Sequence, residues 1–178
     1  MICCKIQTII SISIDGMEKF NGRIKAMYVY RYYYTDEYGF EEWDIEGNNY
    51  IELMETCFKY SSKLSLIFWD NFANPLEEVL KPFEIPQIES AVTNYSGSYV
   101  KCYKTCPELL DFMLKTSDSL FKWINGWDYT NPEDPTFYRK DDSIFFASTI
   151  HEGECILMPK EDEDVFNIVC KEHWERIR

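Results

Sequence analysis

Period-two alternation opens the readable part of the chain. From Arg23 to Tyr34, Ile24, Ala26, Tyr28, Tyr30 and Tyr32 fall on one face. Lys25, Met27, Val29, Arg31 and Tyr33 fall on the other. Alternating aromatic and β-branched residues predict a β-strand. Asp36 to Glu46 reads as an acidic, aromatic loop or short strand around Gly39. The period then changes: Tyr50, Leu53, Met54, Cys57 and Phe58 recur at helical spacing. Gly47-Asn48-Asn49 opens this helix, with Asn48 or Asn49 as the expected N-cap. Leu64 to Trp69 is an apolar run of strand length.

Pro75 suits a first helical turn, and Leu76, Val79 and Leu80 make a short helix there. Pro82 and Pro86 end it and carry the chain on in an extended form. Ser98 to Lys104 alternates and predicts a strand. Pro107 to Lys115 predicts a helix with a wide apolar face, continuing or restarting over Ser117 to Asn125 and capped by Gly126. Residues 128–142, with two prolines, read as a polar loop. Ser143–Thr149 and Cys155–Met158 read as a hairpin, with Gly153 supplying the positive φ. The segment from Lys160 to Ile177 starts with four acids, which suit a helix N-terminus, and predicts a terminal helix.

The resulting order is β, α, β, α, β, α, β, β, α. The expected fold is α+β, one domain with a mostly antiparallel sheet and helices on one face. Residues 17–178 form that domain. Residues 6–14 (IQTIISISI) are too short for a membrane span and lack a cleavage site. Their alternating Ile/Ser pattern reads either as a strand or, the favoured reading, as part of an extension over residues 1–16 before a start at Met17.

Charge changes the picture most. The 31 Asp and Glu against 18 Lys and Arg give −13, and no basic cluster exceeds the pair Arg139-Lys140. Nucleic acid and anionic membrane need basic residues to replace counterions, so neither is an expected partner. A basic protein is. The seven cysteines are odd in number, scattered and never Cys-x-x-Cys, as in reduced thiols of a cytoplasmic protein.

Few strings carry chemistry. His151-Glu152-Gly153-Glu154-Cys155 lacks the Pro-Cys-x-x-Cys of a zinc deaminase, and His-Glu-x-x-His is absent. Cys102, Cys106, His151 and Cys155 could together supply four zinc ligands. Cys106, just before a helix, could pair with His151 as nucleophile and base. Against both stands the reading of packed thiols and a turn histidine. His173 falls in the terminal helix. No glycine-rich phosphate loop occurs. No catalytic residue, metal or cofactor is assigned.

The acidity concentrates in residues 36–46, 133–142 and 152–164, and the first two are laced with aromatic rings. Tyr and Trp anchor interfaces, and acids steer toward basic partners. The candidate binding surface is Tyr38, Glu41, Glu42, Trp43, Asp44, Trp127, Asp141, Asp142, His151 and Glu152.

The chain from Met17 onward carries a Tyr-rich first strand, Trp-Ile-Asn-Gly-Trp at 123–127 and FFASTIHEGECILMPKEDEDV at 145–165. In these it resembles a group of small acidic proteins from Firmicutes, some of them labelled as linked to stage III sporulation. It also looks like bacterial toxin-immunity proteins, which are small, acidic, aromatic-rich and non-catalytic. The expected function is a non-enzymatic protein that binds a basic partner, as an immunity protein does. The alternatives are an enzyme with a carboxylate or Cys/His site, and a sporulation-linked regulatory or structural factor.

Overall fold

Alternation in the first strand divides the molecule into two faces. A computed structural model describes residues 26–31, 33–36, 39–93, 95–121 and 132–177. In β1 (Tyr28–Arg31), Tyr28 and Tyr30 pack with the main core, while Val29 joins Met27, Ile156 and Met158 on the opposite face. Of the strand expected over 23–34, residues 23–25 and Tyr32 lie outside the described part, and Tyr33–Asp36 (β2) belongs to a different sheet. It forms a separate hairpin with Gly39–Glu42 (β3).

The other strands are β4 (Lys63–Trp69), β5 (Glu84–Ile85), β6 (Ser98–Lys104), β7 (Glu133–Tyr138), β8 (Ile144–Thr149), β9 (Glu154–Leu157) and β10 (Trp174–Arg176). They join β1 in an antiparallel sheet of order β10-β1-β9-β8-β7-β4-β6-β5. Four described helices are α1 (Asn48–Tyr60), α2 (Pro75–Leu80), α3 (Pro107–Thr116) and α4 (Phe166–Val169). All four bury residues in or against one core with Leu64, Leu66, Phe68, Phe137 and Phe145 of the sheet. The other face carries only small clusters, one of them Ile88, Ala91, Cys102 and Tyr138 under the chain that follows β5. The fold is α+β, as the order of elements predicts.

The ends of the helices show how local chemistry and tertiary contacts divide the work. Asn74 accepts a hydrogen bond from the Leu76 amide at 3.1 Å, with Pro75 at the first helical position of α2. Asn74→Ala should cost about 1 kcal/mol, and Asn74→Asp little, in urea denaturation. For α1 the expected asparagine cap gives way to Gly47, at φ 57. Its amide donates to the Asp118 carbonyl at 2.8 Å, so a distant segment, not a side chain, sets this entrance.

Three expectations are corrected. Residues 133–138, expected within a loop, are the interior strand β7, with Glu133, Asp134, Phe137 and Tyr138 buried. Pro135 lacks an amide and is foreign to a central strand. The β4–β7 register shifts beside it and Asp134 takes φ 53, so a bulge absorbs the proline. Residues 117–121 are not helical: the Ser117 amide closes α3 on Met113, and Leu120 N donates to Ile45 O at 3.0 Å. Residues 122–131 lie outside the described part, and with them the expected cap Gly126.

The terminal helix is also replaced. Only Phe166–Val169 is helical, His173 turns at φ 74, and Trp174–Arg176 pairs with β1. Of the preceding acids, Asp164 serves this helix start, its carboxylate accepting the Phe166 amide at 3.1 Å. Glu163 instead turns inward to Arg139, with both side chains buried. The β8–β9 hairpin forms as expected, with a 3-10 turn at Ile150–Glu152 and Gly153 at φ 69.

A candidate aromatic cleft with an acidic rim

Beside β1 lies a cleft of about 610 Å³, within the range of ligand sites. Three pieces of chain build it: Tyr30 from the strand, Glu42 to Glu46 leading into α1, and Ile168 to Trp174 leading into β10. Pairing of β1 with β10 brings the first and last described strands together here.

The rings are ordered against one another. Trp43 stacks on His173 with centroids 3.7 Å apart and planes at 21°. Tyr30 meets His173 edge-on at 6.2 Å and Trp174 at 5.3 Å, and stacks on Phe121 at 6.1 Å. Tyr30 is buried and its hydroxyl donates to the Asp44 carbonyl at 3.3 Å. Burial, with Cys155, Asp44 and Glu46 nearby, pushes its phenol far above the ordinary range, so it stays a neutral donor.

Charge around the rings is negative. Among the described lining residues, Glu42, Asp44, Glu46 and Glu172 stand against one lysine, Lys171. Lys171 is engaged by Glu52 of α1, outside the cleft. Asp44 has a structural task, accepting from the Ser119 hydroxyl at 2.6 Å and the Phe121 amide at 3.1 Å. Glu172 is almost wholly exposed and lies 3.8 Å from Nε2 of His173.

No protein-family model, no curated protein and no solved structure matches this chain. The site therefore rests on its own geometry.

Of the expected surface, Glu42, Trp43 and Asp44 come together in the cleft. Tyr38 and Trp127 lie outside the described residues. Glu41 is placed on β3 and His151 in the 3-10 turn by their backbones. Asp141 and Asp142 occupy the β7–β8 turn, whereas Glu152 is exposed in the β8–β9 turn at the opposite end of β8. These residues thus do not form one continuous face. Asp142 pairs with Lys63, and Asp141 with Lys160 at 2.7 Å. Partial burial pushes the Asp141 carboxyl up. Lys160 and Ser143 outweigh that and hold it below the usual range.

The four-ligand zinc arrangement does not form. Cys102 packs with Ile88 and Tyr138 on one face of the sheet, while Cys155 sits in the helix-covered core on the other. Burial pushes both thiols up, as it does that of Cys57. The five described cysteines are free, and no described cluster of three or more such ligands is set to hold a metal ion. No described helix is long and apolar enough to cross a membrane.

Tyr30, His173 and Trp174 were not among the expected site residues. A signal existed: Glu172-His173-Trp174-Glu175 repeats the acid–ring pattern of Glu41 to Asp44. In a helix these residues would not face the first acid–ring segment; the β10 strand places them beside it.

A second group of carboxylates is internal. Asp134 accepts the Ile150 amide at 2.7 Å. Burial, opposed by that bond and aided by Glu133 and Glu152, pushes its carboxyl up to about 8. Burial likewise raises Glu133.

Proposed function

We propose that this chain is a non-enzymatic binding protein for a basic protein partner, engaged at the aromatic cleft. One observation carries the reading: stacked rings and a carboxylate rim share a single concavity, on a chain of charge −13. Aromatic rings supply contact area at low entropic cost, and excess acid speeds encounter with a basic surface. An immunity protein fits this description. Toxins that act on nucleic acid carry the basic surface that an acidic chain can mask.

The test compares two triple variants of equal charge. Glu42→Gln/Glu46→Gln/Glu172→Gln alters the rim. Glu89→Gln/Glu161→Gln/Asp162→Gln alters exposed acids outside the cleft. Calorimetric titration with a basic arginine- and lysine-rich polypeptide should show binding that the rim variant weakens about tenfold or more, and the control hardly. Raising salt from about 0.05 M to about 0.5 M should slow association most. Equal losses in the two variants would mean bulk attraction and contradict the reading.

A further inference from the structure

The cleft holds within itself a sample of the chemistry it favours. The His173 imidazole is a planar, nitrogen-bearing ring. It stacks on the Trp43 indole with centroids 3.7 Å apart and planes inclined by 21°, and a Glu172 carboxylate oxygen lies 3.8 Å from its Nε2. His173 adopts this place from φ 74, a backbone region that residues other than glycine seldom occupy. A flat N–H-bearing group against an indole, with a carboxylate at its edge, is also how a guanidinium is recognised.

Around this pair, the buried Tyr30 ring forms the back wall, edge-on to both His173 and Trp174. Glu42, Glu46 and Glu172 stand at the rim. The cleft's own lysine is turned to Glu52. The lining thus offers ring walls, a negative rim and about 610 Å³ of space.

Resting on the basic-partner reading above, we propose that the cleft is a pocket for an arginine side chain of that partner. The guanidinium enters beside the Trp43–His173 stack, its plane against the ring walls and its N–H groups toward the rim carboxylates. Lysine is the weaker ligand. Its ammonium is a strongly hydrated point charge that gains less from flat ring walls and cannot bind a carboxylate side by side.

The probes are two peptides of equal length and charge, one glycine–arginine and one glycine–lysine, titrated into the full chain by calorimetry. The expected result is binding about tenfold tighter for the arginine peptide. Trp43→Leu and Glu172→Gln should each erase most of that preference. Glu172 is almost fully exposed, so its variant keeps the test sound even where loss of the half-buried Trp43 disturbs folding. Equal binding of both peptides overturns the arginine pocket while leaving the basic-partner reading standing. A preference that survives both substitutions places arginine elsewhere and also overturns it. No binding of either peptide overturns both.

Discussion

Replacing Glu163 by alanine should lower the unfolding free energy by about 3–5 kcal/mol, since it strands a buried guanidinium. Arg139 holds Glu163 through two bonds, Nε to Oε1 at 2.6 Å and Nη2 to Oε2 at 2.5 Å. Its remaining N–H groups reach the Ile144 and Met158 carbonyls, each at 2.6 Å, and its guanidinium lies 5.2 Å from the Phe145 ring. Glu163 also accepts the Lys160 amide at 2.6 Å. One ion pair thus joins the ends of β7 and β9 to the start of β8 and the segment before α4. Such a loss is a large share of the 5–15 kcal/mol typical of a domain. Arg139→Lys should fail to rescue it, because an ammonium cannot make the paired contact and reach both carbonyls. Removing both partners together should cost less than the sum of the single changes. Urea denaturation of Glu163→Ala, Arg139→Lys, Arg139→Met and the double variant Glu163→Ala/Arg139→Met checks all three statements.

Stability of the native chain should fall as pH rises from about 4 to about 8, and Asp134→Asn should flatten that fall. In the folded chain burial holds the Asp134 carboxyl protonated up to about 8. In the unfolded chain it ionises near its ordinary value of about 4. Between these values the folded state keeps a proton that the unfolded state has released. Its contribution is therefore fully present below the unfolded value and is lost up to the folded one. The full interval corresponds to on the order of 5 kcal/mol as an upper bound. Glu133, also raised by burial, adds a slope of the same sign. Asparagine keeps an acceptor for the Ile150 amide and cannot ionise. The variant should thus gain on the native chain steadily with pH. Parallel stability curves for the two proteins from about pH 5 to about pH 9 would contradict the account.

Both sites depend on contacts between segments far apart in the sequence. The strands at 63–69 and 98–104, the helices at 48–60 and 107–116 and the β8–β9 hairpin were legible, because period, proline position and Gly153 each signalled locally. Glu133 to Tyr138 looked like loop because two acids and a proline precede the apolar pair. Its strand is imposed by β4 on one side and β8 on the other, with the Asp134 bulge absorbing Pro135. The four acids at 161–164 looked like a helix start because the partner of Glu163 lies 24 residues away in sequence. The cleft was half legible. Glu42 and Trp43 stood out by acid–ring alternation, but Tyr30, His173 and Trp174 meet them only through β1–β10 pairing.

Engagement of a basic partner at this cleft has a residue-by-residue signature. Two-dimensional NMR of the labelled protein, titrated with an unlabelled glycine–arginine peptide, tests it most directly. If the partner binds there, the indole N–H signals of Trp43 and Trp174 and the backbone signals of Glu172 and His173 move first and furthest, while those of Trp69, near the other end of the sheet order, stay in place. Shifts spread evenly over exposed acids, or centred on the β7–β8 turn with the cleft unmoved, would contradict it.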